Sequence, residues 1–142
     1  MFKLNNPPVK SLIHFLRLVR WPNLLFILLA ESLFHFFIYK PLYPNLALNA
    51  DYSFYFIVAT SICIAAAGYI INDYFDIKTD AINRPNKLLL ENTIDRRKAI
   101  LLHLLLTLVG VLIGVIIALQ HNNILLVGFQ IISSLLLWFY ST

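Results

Sequence analysis

Charge is scarce in this sequence, and cysteine is almost absent: 13% of the 142 residues are charged, one is cysteine, and 60% are hydrophobic. Soluble proteins average about 25% charged and about 45 to 50% apolar residues, so disorder, collagen, coiled coil and disulfide-rich secreted scaffolds are all excluded. Cys63 can form no intrachain disulfide and sits in an apolar run, as a packing residue does. There is no Gly-rich phosphate loop, Ser-His-Asp arrangement, CxxC pair or zinc-ligand spacing, and no internal repeat or low-complexity tract. After Lys98 the sequence contains no Lys, Arg, Asp or Glu at all. An integral, multi-pass membrane protein remains.

A spanning helix needs about 20 apolar residues to cross roughly 30 Å of hydrocarbon. Four such stretches fit, at residues 21–39, 52–71, 99–119 and 124–140. Pro22 begins the first, where its missing N–H costs nothing, and Pro41 and Pro44 close it. Gly110 and Gly114 in the third form a close-packing pair one helical turn apart. The polar break Gln120-His121-Asn122-Asn123 separates the third stretch from the fourth. The expected fold is all-α: a polytopic membrane bundle of about four transmembrane helices. A basic amino-terminal arm at 1–20 precedes the membrane region at 21–142, which includes a loop at 72–98. A transmembrane span is expected for the first stretch in preference to a cleaved signal peptide, because Glu31 interrupts its apolar centre and three further spans follow.

Eleven Lys and Arg against seven Asp and Glu give a net charge of +4. Every basic residue except Lys40 lies in the arm or in the central loop, where it reads as a juxtamembrane anchor and not as a nucleic-acid patch. The expected partner is therefore the lipid bilayer, with no nucleic acid. By the same rule the amino terminus, the Asp-rich loop and the carboxyl end face the cytoplasm.

Five of the seven acids fall between Asp73 and Asp95. If the second helix continues past Ile71, then Asp73, Asp76 and Asp80 follow an i, i+3, i+7 pattern, within roughly 60° of arc on one face. Asn72 and Asn83 flank that stripe. Like charges on one face repel, and a membrane boundary solvates them poorly, so a cation should offset them. Mg²⁺ fits, because it takes hard oxygen ligands and completes its shell with phosphate and water. A phosphorylated substrate follows as its natural partner.

The segment Asn72-Asp73-Tyr74-Phe75-Asp76-Ile77-Lys78-Thr79-Asp80 matches N-D-x-x-D-x-x-x-D at every fixed position. Asn83-Arg84-Pro85 follows it, and Arg20-Trp21-Pro22-Asn23 opens the first span. Together these residues resemble the UbiA superfamily of intramembrane prenyltransferases. The resemblance implies the first part of a nine-helix fold and Mg²⁺-dependent transfer of a prenyl group from an allylic prenyl diphosphate to an aromatic or alcohol acceptor. It implies Asp73 and Asp76 as catalytic residues and Asn72, Asp73, Asp76 and Asp80 as metal ligands. Asn23, Lys78, Arg84, Lys87 and Tyr140 would bind substrate, and Tyr69, Tyr74, Phe75 and Tyr140 could offer aromatic faces to an allylic cation. Tyr140-Ser141 also resembles a Tyr-Ser pair of the family.

Two features depart from the family pattern. A second Asp-rich motif is missing, so the chain reads as an amino-terminal fragment or a truncated product, completed by a second chain or by a missing carboxyl-terminal half. The loop after Pro85 also lacks the Arg-Pro repeat and glycine common in many members. Alternative readings are a non-catalytic truncated membrane protein that keeps the motif, and a small transporter subunit using Glu31 and the Asp cluster as cation sites. The expected location is a bacterial or archaeal plasma membrane.

Glu31 lies mid-span with His35 one turn away on the same face. An intramembrane ionisable residue is a functional candidate, and a hydrogen-bonded packing pair is the competing reading. His103 is expected to pack between helices or lie at the interface, and His14 and His121 to be solvated.

Overall fold

The computed structural model describes residues 7–45, 51–77, 82 and 95–141, with backbone only at 7–10 and 51. All regular structure among the described residues is helical. Helix α1, Pro7–Leu18, is amphipathic and makes most of the basic arm a folded element. Helix α2, Trp21–Phe34, runs through a π-helical turn, His35–Tyr39, into α3, Lys40–Leu42. Helix α4 is Asp51–Phe75, α5 is Arg96–Gln120 and α6 is Leu125–Ser141.

Three helices are long and apolar enough to cross a membrane: Trp21–Leu42, Tyr52–Phe75 and Arg96–Gln120, with 22, 24 and 25 residues. At roughly 1.5 Å per residue they extend about 33 to 38 Å. The apolar α6 has 17 residues, at the short end of what spans a bilayer. The bundle therefore has the four apolar helices the sequence implies, three of them of full length.

Three contacts fix an alternating up-and-down order. Arg20 at the start of α2 meets Asp73 at the end of α4. Ser53 at the start of α4 bonds His121 in the α5–α6 turn, with Oγ and Nε2 2.9 Å apart. Phe75 at the end of α4 meets Trp138 near the end of α6, with ring centroids 5.8 Å apart. His121 is thus tied to a buried serine, not simply solvated as expected, because the tight turn after α5 brings it over the start of α4.

Helix α4 is central and packs against α1, α2, α5 and α6. Between membrane helices the attraction comes from close van der Waals contact and interhelical hydrogen bonds, not from expulsion of water. Gly110 supplies that contact: a Cβ there would lie 3.0 Å from Ile64 Cγ1, 3.2 Å from Cys63 Cβ and 3.4 Å from the Thr60 carbonyl. Thr60 Oγ1 donates to the Gly110 carbonyl at 3.3 Å across the same seam. A Cβ at Gly114 would collide with the Gln130 amide of α6. The two glycines therefore serve two different helix contacts. Cys63 packs in the first of them, as its apolar setting implies.

Buried His103 places Nδ1 3.0 Å from the Ala67 carbonyl and packs near Trp138, the helix-packing role expected of it. The serines of α2 and α6 turn inward on their own helices: Ser32 donates to Leu28, Ser133 to Phe129, Ser134 to Gln130 and Ser141 to Leu137. Such back-bonding satisfies hydroxyls at membrane depth.

Candidate active site

Asp73, Asp76 and Asp95 lie at the end of the bundle where α2 begins, α4 ends, and α5 begins. An apolar plug supports this end: Leu18, Val19, Ala66, Ile70, Ile77 and Ala99 are buried together. Leu18 and Val19 anchor the segment joining α1 to α2. The next residue, Arg20, adopts the left-handed conformation, φ 52° and ψ 54°, which costs an L-residue with a Cβ roughly 1–2 kcal/mol. That kink turns the chain from α1 into α2 within two residues and aims the Arg20 side chain across to α4.

Helix α4 continues beyond Ile71 through Phe75, and the Asp76 N–H still donates to the Asn72 carbonyl at 2.9 Å. Asn72 and Asp73 are therefore helical residues at its last turn, and their side chains divide. Asn72 Nδ2 donates to Asp76 Oδ2 at 2.6 Å, an i, i+4 pair. Asp73 Oδ1 accepts from Arg20 at 2.6 Å. The Arg20 guanidinium also lies over the Tyr69 ring, 5.2 Å from its centroid, and Tyr69 is one turn before Asp73 on the same face. Acidic repulsion is thus relieved locally by an amide on Asp76 and a guanidinium on Asp73.

Asn72, Asp73 and Asp76 offer only hard oxygen atoms, with no thiolate or imidazole beside them. Such a donor set fits Mg²⁺ better than zinc or copper. No cluster of three or more His, Cys, Asp or Glu occurs among the described residues. Asp80, the fourth expected ligand, lies outside them, as do Lys78, Arg84, Lys87 and Asn83. Asp95, one of the five acids of this region, caps α5 by accepting from the Arg97 N–H at 3.1 Å.

Asn23 lies in the first turn of α2, its N–H donating to the Arg20 carbonyl at 2.8 Å, with its side chain exposed. Tyr140 is at the same end of the bundle, near the close of α6, but it is 82% exposed and stands on the outer surface. Tyr74 and Phe75 meet edge to face at 5.4 Å, and Phe75 continues onto Trp138. The structure therefore brings together Asn72 with Asp76, and leaves Asn23 and Tyr140 on the rim. Sequence reasoning treated Arg20 as an anchor and missed its contact with Asp73. Its position beside Trp21-Pro22-Asn23, within the segment that resembles the family's first helix, was the available signal.

Glu31 lies deeper, eleven residues beyond Arg20 along the helix. Its carboxyl has the Ser61 hydroxyl as a hydrogen-bond partner. Its Oε2, like Gln130 Oε1, is buried without a hydrogen bond among the described residues. Both line a cavity of about 430 Å³ between the helices, with Thr60, Ser61 and Ser133. His35 stacks on Phe54, centroids 4.2 Å apart, so each member of the expected Glu31–His35 pair is held by α4.

Comparison with known proteins gives the family of the chain. Residues 24–142 match the UbiA prenyltransferase family. The digeranylgeranylglyceryl phosphate synthase of Sulfurisphaera tokodaii is 40% identical over 78 residues, 55% of this chain and 26% of that protein. The synthase of the same name from Methanosphaera stadtmanae is 35% identical over 75 residues, 51% of this chain and 28% of that protein. That of Thermococcus gammatolerans is 44% identical over 55 residues, 39% of this chain and 20% of that protein. The chain spans about a quarter of the length of the first two of these curated relatives. No solved structure matches it. With long apolar helices, an Asn-Asp pair at the end of α4, and a family match over most of its length, this multi-pass membrane chain belongs to the UbiA prenyltransferase family.

Proposed function

We propose that this chain supplies the first Asp-rich site of an Mg²⁺-dependent prenyltransferase, acting on an allylic prenyl diphosphate and an alcohol acceptor. The observation that carries the reading is the pairing at the end of α4. Asn72 and Asp76 are held 2.6 Å apart beside Asp73, and a guanidinium lies within reach of the same site.

In the reaction the C1–O bond of the donor breaks and diphosphate leaves with the electron pair. The acceptor oxygen bonds to C1 and loses its proton. Asn72, Asp73 and Asp76, with Asp80, would hold Mg²⁺, and the ion would supply charge to offset that on the departing diphosphate. Arg20 adds a forked, charge-assisted donor at the same end, with Lys78, Arg84 and Lys87 as further cations. Tyr69, Tyr74 and Phe75 offer ring faces that stabilise an allylic cation and keep water from it. Asn23 and Tyr140, both exposed at this end of the bundle, would bind substrate as it arrives.

The name of the relatives, synthases of digeranylgeranylglyceryl phosphate, supports a geranylgeranyl group as donor and a glycerol phosphate hydroxyl as acceptor, in preference to an aromatic ring. The alternating helix order gathers Arg17, Arg20, Arg96, Arg97 and Lys98 at the Asp73 end. That supports a cytoplasmic orientation for this end in a bacterial or archaeal plasma membrane. Asp95 is the last acid of the sequence, so a second motif of the family type would come from another stretch of polypeptide or a second chain. The arm at 1–20 and the membrane region at 21–142 then form one working unit, because Arg20 reaches into the site from their junction.

The test is transfer of radiolabel from geranylgeranyl diphosphate to geranylgeranylglyceryl phosphate by membranes holding the complete enzyme. Transfer should require Mg²⁺ and be lost in Asp73→Asn and Asp76→Asn. Full transfer by either variant would defeat the site assignment. Ion flux through the protein without prenyl diphosphate would favour a transporter instead.

A further inference from the structure

Asp73 is both an expected metal ligand and a partner of Arg20, and Arg20 already holds one of its two carboxylate oxygens. Oδ1 accepts the Arg20 guanidinium at 2.6 Å, with Asp73 mostly buried, at 20% side-chain exposure, and Arg20 43% exposed. A divalent cation bound through Oδ1 would meet a positive guanidinium within a few ångströms, at a spacing where like charges repel strongly. Arg20 and the metal are therefore alternative partners for Asp73 Oδ1.

Three further observations keep Arg20 near the site when that contact breaks. Buried Leu18 and Val19 fix the backbone immediately before it. The left-handed φ of 52° aims its side chain across to α4. The Tyr69 ring lies under the same guanidinium, 5.2 Å from its centroid, while the Asp73 bond is made. Glycine would relieve the backbone strain at position 20 but would present no guanidinium. Strain at a residue that touches a candidate site is a pointer to function.

We propose that Arg20 is an exchangeable counter-cation of the Asp-rich site. It neutralises Asp73 until a divalent cation takes Oδ1, and it then turns its hydrogen bonds to the diphosphate that accompanies the metal. Tyr69 holds the guanidinium between the two positions. The inference rests on the transferase reading above and adds a role for a positioning residue on α2. It implies opposite effects on the two ligands. Arg20 weakens binding of the bare metal and strengthens binding of the metal with diphosphate.

The test uses the purified full chain in lipid nanodiscs, with Mn²⁺ binding followed by electron paramagnetic resonance and pyrophosphate binding by calorimetry at saturating Mn²⁺. In Arg20→Gln, Mn²⁺ should bind about twofold to fivefold more tightly, the range set by a partly exposed ion pair. Pyrophosphate should bind at least about tenfold more weakly, as loss of charge-assisted hydrogen bonds requires. Arg20→Lys keeps the charge without the fork, so it should return Mn²⁺ affinity to the wild-type value and recover pyrophosphate binding only in part. If Arg20→Gln does not fold, Arg20→Met, which keeps the length of the side chain without its charge, is read for the same two shifts.

If wild type binds Mn²⁺ and Asp76→Asn abolishes that binding, but the Arg20 variants move both affinities in the same direction or move neither, the exchange is wrong while the site stands. If wild type binds no Mn²⁺, or Asp76→Asn leaves it unchanged, the site reading fails and takes the exchange with it.

Discussion

Replacing Gly110 by Leu should open the seam between α4 and α5, and the structure sets the size of the effect. Even a Cβ at position 110 would sit 3.0 to 3.4 Å from Ile64, Cys63 and the Thr60 carbonyl. Two of those three contacts are backbone or next to it, so the neighbours cannot swing away. Overpacking of this kind costs about 1–3 kcal/mol. Separation of the helices also stretches the Thr60 to Gly110 bond, a further loss of about 0.5–1.5 kcal/mol. Leu regains about 0.8 kcal/mol in helix propensity relative to Gly, leaving a net loss of about 0.7–3.7 kcal/mol. Gly128→Leu is the control. Nothing lies within 4 Å of a Cβ there, so only the propensity gain applies. Unfolding in mixed micelles by increasing SDS, followed by Trp21 and Trp138 fluorescence, should separate the two variants by about 1.5–4.5 kcal/mol. Equal midpoints would refute the close-packing account of Gly110. Gly114→Ala makes the sharper point. Its Cβ falls on the Gln130 amide, but that is the movable end of a long side chain beside a cavity, so it should cost less than Gly110→Leu.

Three other outcomes follow from single contacts. Ser53→Ala removes the tie between α4 and the α5–α6 turn, and the same unfolding assay should record a loss of about 1 kcal/mol without any change in Mn²⁺ affinity, because the contact is at the opposite end from Asp73. Asp95→Ala removes the cap of α5 and should lower stability by about 0.5–2 kcal/mol; amide hydrogen exchange should rise first at Arg97. Glu31→Gln replaces the carboxyl, one of whose oxygens is buried without a partner, with a neutral amide whose N–H groups face the cavity that also holds the unpartnered Gln130 Oε1, so it should stabilise the bundle by about 1 kcal/mol, and a loss of that size would show that the carboxyl itself is needed there.

Much of the fold was legible because membrane helices announce themselves by length and composition, and these spans contain few of the polar residues that obscure such patterns. The limits of the first span were less legible. It runs to Leu42 through a π-helical turn at His35–Tyr39, and no apolar spacing signals that register change. The helical arm was also hidden, since basic residues suggested an anchor and only packing reveals that Leu18 and Val19 are core. In the candidate site, the position of Asn72, Asp73 and Asp76 at the end of the second span was legible from motif and spacing. Their division was not: a periodicity argument places three carboxylates on one stripe, but cannot see that a guanidinium 53 residues earlier in sequence claims Asp73. His121 was misread for the same reason, its partner Ser53 being 68 residues away. Long-range polar pairs leave no local trace, whereas caps, glycine pairs and helix lengths do.

The central claim is that Asn72, Asp73 and Asp76 form a metal-dependent diphosphate site. It is tested most directly by binding of a non-hydrolysable thio analogue of geranylgeranyl diphosphate to the purified chain in nanodiscs, with and without Mg²⁺. The account predicts binding that requires Mg²⁺ and falls at least about tenfold in Asp76→Asn, as loss of a charged ligand demands. Binding that is equally tight without Mg²⁺, or unchanged in Asp76→Asn, would contradict it.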